Sequence, residues 1–103
     1  MAMKYAYFQK CLTNRYGYNP SERPVDAHSE HEAVRKVKQA ATNGDTSTIT
    51  ILFVYEDGER SRARAILGWR KGETGTVRPL PQYDVENYFN EFEAEQKLYR
   101  LPQ

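Results

Sequence analysis

Two groups of side chains in this 103-residue chain have the types and spacing to do chemistry. The first is His28-Ser29-Glu30-His31-Glu32, two imidazoles three positions apart with carboxylates between and beside them. Imidazole and carboxylate are ligands for divalent metals, so a metal is chemically conceivable here. The spacing argues against one, because the helical zinc motifs His-Glu-x-x-His and His-x-x-Glu-His are both absent. His28-Ser29-Glu30 has the His-x-Glu form of the zinc deaminases, but no Pro-Cys-x-x-Cys follows it. A plainer reading takes Ser29 and Glu32 as a helix capping box, with both histidines at the surface. Neither a metal nor a cofactor is therefore expected.

The second group is the alternation Arg60, Arg62, Arg64. In a strand, a period of two places all three on one face. With Tyr5 and Tyr7 on the same side, that face would mix guanidinium groups with aromatic rings. Such a surface suits phosphate backbones and unpaired bases, and equally suits protein partners. The alternative is a solvated face on which the arginine stems cover Leu52, Val54 and Ile66. The segment 14–27 adds Arg15, Tyr16, Tyr18 and Arg23 and reads as a long loop by its Gly, Asn and two Pro residues. No Gly-rich phosphate loop, nucleophile elbow or acid/base pair of carboxylates stands out. An enzyme reading is thus confined to a metal-free ribonuclease type, with His28 or His31 as general acid.

The elements that must position these groups are legible in outline. Residues 48–55, rich in Ile, Val, Thr, Phe and Tyr, form a strand, and Asp57-Gly58 turns it into a return run over 60–69. A three-residue loop with Gly58 as bulge pairs Phe53 with Ser61, Ile51 with Ala63 and Ile49 with Ala65. That register gathers Ile49, Ile51, Phe53, Ala63, Ala65, Leu67 and Trp69 on one face and spares the arginines from burial. Residues 3–13 form a first strand with Ala6, Phe8 and Leu12 inward, its direction relative to the hairpin left open. A helix runs from Ser29 to about Thr42 on the stripe Ala33, Val34, Val37, Ala40, Ala41, and Asn43-Gly44 ends it. Residues 76–78 form a short edge strand. A last helix, capped by Asp84 and reaching about Tyr99, sets Val85, Tyr88, Phe89, Phe92 and Tyr99 at helical spacing, with Glu86, Glu93 and Glu95 mainly elsewhere. The expected architecture is a two-layer α+β sandwich: an antiparallel sheet of three to four strands with two helices on one face, in a single domain.

Charge is nearly balanced at +1, so no whole-molecule field selects a polyanion. One cysteine, Cys11, leaves no internal disulfide and fits a cytoplasmic setting. The start of the chain lacks the apolar stretch of a signal peptide, and no segment approaches membrane-spanning length. The reading that results is a non-enzymatic interaction domain: a regulator, adaptor or inhibitor that meets a protein through an exposed sheet face and the 14–27 loop. Nucleic-acid binding through the arginine row is the alternative, and self-association through a sheet edge is open.

Overall fold

Residues Thr48 to Tyr55 are branched or aromatic throughout, and all eight are buried. A strand buried on both faces must lie inside a sheet covered on both sides. The computed structural model, which describes residues 3–13, 20–58 and 62–100, shows this arrangement. Its strands are β1 (Lys4–Cys11), β2 (Arg23–Val25), β3 (Thr48–Tyr55), β4 (Ala63–Lys71) and β5 (Val77–Pro79); its helices are α1 (Glu30–Asn43) and α2 (Gln82–Arg100). The strands form an antiparallel sheet in the order β2-β1-β3-β4-β5. The α+β class and the hairpin are as the sequence implies, with five strands instead of three to four. β2 falls inside the segment expected to be a loop, and β1 is antiparallel to β3, with Phe8 opposite Ile51.

The helices do not share a face. Ile49, Ile51, Phe53 and Tyr55 point to one side, where they pack with Ala6, Phe8, Val85, Phe89 and Phe92 beneath α2. Leu52 and Val54 point to the other, packing with Tyr5, Ala33, Val37, Ala41 and Trp69 beneath α1. The expected two layers become three because β3 is apolar on both of its faces. Phe92 stacks on Phe8 with ring centroids 4.1 Å apart, and Phe53 lies 5.1 Å from Phe89. On the α1 side the buried Thr50 hydroxyl accepts from Gln9 Nε2 at 3.2 Å. The same amide nitrogen donates to the Ala40 carbonyl, tying helix to sheet.

The hairpin register also differs from the sequence expectation. Phe53 pairs with Ala65 and Tyr55 with Ala63, whereas Leu52 pairs with Leu67, leaving Ile66 as an inserted residue. This bulge moves Leu67 and Trp69 to the α1 face and Gly68 and Arg70 to the α2 face. The connection is longer than three residues because Glu56–Gly58 wind into a 3-10 turn in which Asp57 takes the left-handed conformation, φ 56°. Arg62 and Arg64 fold back onto that turn, Arg62 Nη1 to Asp57 Oδ2 at 2.9 Å and Arg64 Nε to Glu56 Oε1 at 2.5 Å.

Helix ends follow from local chemistry. Ser29 Oγ accepts from the Glu32 N–H, and a Glu32 carboxylate oxygen accepts from the His28 N–H, each at 3.2 Å. Gly44 closes α1 in an extended conformation, its N–H donating to the Ala41 carbonyl. No basic residue lies in the last turn of α1; Lys71 of β4 supplies the charge, its Nζ donating to the Thr42 and Gly44 carbonyls at 2.8 and 2.7 Å. α2 begins two residues before the expected cap, with Asp84 and Val85 N–H groups both donating to the Pro81 carbonyl.

Gly68 lets α2 approach the sheet. A Cβ there would lie 2.6 Å from Ile51 Cδ1, 3.1 Å from Val85 Cγ2 and 3.2 Å from the Thr50 carbonyl oxygen. Gly68→Ala is expected to destabilise the fold by about 1–3 kcal/mol, the usual range for overpacking. Urea denaturation measures this, and an unchanged midpoint would mean that α2 is not seated on Gly68.

Candidate functional site

The described candidate residues do not assemble into one surface. Arg15, Tyr16, Tyr18 and Arg60 lie outside the described residues. Tyr5 is buried under α1, and Tyr7, half-buried, lines a cleft of about 230 Å³ with Pro24, Val25, Lys36 and Ala40. Arg23 is exposed on β2 opposite Tyr7. Arg64 and Tyr5 occupy one rank across the sheet, but the buried Val54 stands between them. Arg62 precedes β4 and sits in the turn region. The expected period-two row is thus broken at Arg62, and both described arginines are engaged by carboxylates of the turn. The exposed sheet face proposed from the sequence is covered: α1 occupies one side and α2 the other.

His28 and His31 are both exposed at the start of α1. Among the described residues no group of three or more His, Cys, Asp or Glu side chains is placed to hold a metal. Glu32 instead serves the cap. Its carboxyl is held below its ordinary value, first by the hydrogen bond from the His28 N–H and next by that from Lys36. Lys36 Nζ lies 3.2 Å from Glu32 and also donates to the Asp26 carbonyl.

What the fold leaves open is an edge. β4 is nine residues long, yet β5 pairs only with Trp69, Arg70 and Lys71, and the Leu80 N–H extends that contact to the Gly68 carbonyl. On this outer side Ala63 to Leu67 have no strand partner among the described residues. Alternation fixes which residues present their main chain there. Gly68 faces outward, and the insertion at Ile66 shifts the count by one, so Ala63 and Ala65 face outward too. Beside them lies a groove of about 340 Å³, lined by Ala63, Arg64, Ala65, Glu86, Phe89 and Asn90. On the opposite face of the same edge Leu67 is exposed. The edge therefore offers main-chain groups unpaired among the described residues, with a groove of mixed polar and apolar lining on one side and the exposed Leu67 on the other.

Sequence reasoning passed over this edge because strand order and the length of β5 come from tertiary pairing. It also passed over Arg70 and Arg78, which the β4–β5 pairing sets directly opposite one another. Comparison of the chain with protein-family models, with curated proteins and with solved structures yields no match.

The lowered Glu32 value fixes a pH dependence. A carboxyl whose folded value is depressed helps the fold above its unfolded value, and the help is lost as pH falls through the folded one. Acidification through the lower carboxylate range should loosen the first turn of α1, with faster exchange of the His28 amide. Glu32→Gln should abolish that acid step, and amide-exchange NMR of the two proteins decides it.

Proposed function

We propose that this chain is a non-enzymatic protein-interaction domain that receives an extended segment of a partner along the outer edge of β4. The observation that carries this reading is the edge at Ala63–Leu67, which has no strand partner among the described residues, continues the line of β5 and is bordered by the Phe89 groove. Addition of a strand to such an edge derives affinity from main-chain hydrogen bonds and selectivity from alternate side-chain pockets. The edge suits a largely apolar strand. Ala63, Ala65 and Phe89 line one side together with Glu86 and Asn90, Ile66 and Leu67 the other, and Glu56 already neutralises Arg64.

The other two edges are poorer hosts. β2 and β5 are three residues each and carry Pro24 and Pro79, which cannot donate to a ladder. The same ion pairs favour a protein over a nucleic acid at the hairpin, since a phosphate would have to displace Asp57 from Arg62 and Glu56 from Arg64. A cytoplasmic regulator, adaptor or inhibitor would fit this mode. Among the described residues no helix is long and apolar enough to cross a membrane.

Ala65→Pro tests the reading. It removes an outward N–H without touching the bonds from β4 to β3, so the circular dichroism spectrum should be unchanged. Panning a phage-displayed peptide library against the protein should select extended apolar peptides whose binding falls at least about tenfold on Ala65→Pro, as expected for the loss of ladder bonds. Peptides that bind both proteins equally, or recovery only of nucleic acid from cell lysate, would sink the proposal. A dimer in sedimentation that Ala65→Pro dissociates would replace the foreign strand with a second copy.

A further inference from the structure

One rank of side chains crosses the α2 face of the sheet as Lys10, Ile49, Arg70 and Arg78, each the register partner of the next. Lys10 is answered by Glu91 at 3.6 Å. Arg70 and Arg78 are not answered. Both are exposed, they face each other on neighbouring strands, and neither makes an ion pair or side-chain hydrogen bond with a described residue. Glu73 in the turn between their strands and Asp84 in the first turn of α2 are the carboxylates of the adjoining segments, and neither pairs with them.

Like charges directly opposite each other in a sheet repel. The next rank on this face is Gly68 with Leu80, which leads into the first turn of α2. We infer that the facing Arg70 and Arg78 form a binding site for one phosphate group. Side chains opposite one another in an antiparallel pair stand about 5 Å apart at Cβ, close enough for two guanidinium forks to straddle one anion. A carboxylate brings one charge and two oxygens, whereas a phosphate brings up to two charges and enough oxygens to offer each fork its own pair. The site is independent of the β4 edge, which lies beyond Gly68 toward the hairpin turn.

The test is a titration with inorganic phosphate followed by ¹⁵N NMR, against sodium chloride at matched ionic strength. Saturable shifts confined to residues 69–71 and 77–80 are expected, and Arg70→Gln and Arg78→Gln should each weaken binding about tenfold, as for loss of a charge-assisted contact. Both variants relieve repulsion, so without phosphate each should melt no lower than the parent protein, which separates lost binding from lost folding. A second arm uses a nucleoside monophosphate: equal affinity identifies the free anion as sufficient, and tighter binding identifies an esterified phosphate. Shifts reproduced by chloride, or unchanged in both glutamine variants, would overturn the site.

Discussion

The double-sided burial of β3 is the constraint from which the rest of the molecule follows. A strand with Ile49, Ile51 and Phe53 on one face and Leu52 and Val54 on the other leaves apolar surface wet unless each face has its own cover. The chain meets this with one helix on either side. The α1 cover is thin, made of Ala33, Val37 and Ala41, and so brings the helix close enough for Gln9 to bond both Thr50 and the Ala40 carbonyl. The α2 cover is thick and aromatic, with Phe89 and Phe92 interleaved among Phe8 and Phe53. Gly68 gives the room that the opposite end of that helix needs.

Covering both faces moves any recognition to the rim. On one rim the short β2 presents Arg23 and Pro24; on the other β5 presents Arg78 and Pro79 and stops short of the hairpin. The unpaired stretch of β4 is thus a by-product of how little of that strand β5 covers. Its exposure is moderated by the devices usual for such edges, a bulge at Ile66 and a charged side chain at Arg64. The bulge has a second consequence. It turns Arg70 away from α1 and onto the α2 face, opposite Arg78.

Electrostatic pairing, local at the turn and long-range for Lys10 and Lys71, sets which charges remain available. Lys71 leaves the pool by bonding the carbonyl end of α1, Lys10 by meeting Glu91, and Arg62 and Arg64 by closing on the turn acids. The turn end of the hairpin is therefore locally neutralised among its described residues. Availability lies instead with Arg70 and Arg78, which composition alone did not distinguish from their neighbours.

The sequence by itself determined what local chemistry controls: the strand at 48–55, the capped helix opened by Ser29 and Glu32, the apolar stripe of α1, the amphipathic α2 and the α+β class. These depend on side-chain shape, periodicity and hydrogen bonds within a few residues. It did not determine that Tyr5 points under a helix, that residues 23–25 form a strand, or that Arg62 falls outside β4. Each of those rests on strand order, and order is chosen by burial summed over the whole sheet. Register was the sharpest case. Asp57-Gly58 signals a turn, but the inserted Ile66 and the acids that hold Arg62 and Arg64 lengthened it, and one shifted residue exchanged the faces of Leu67 through Arg70. Among the described residues, only the tertiary structure decided which backbone edge has no strand partner and which arginines meet no carboxylate, because strand pairing and the placing of Glu91, β5 and α2 are set far along the chain.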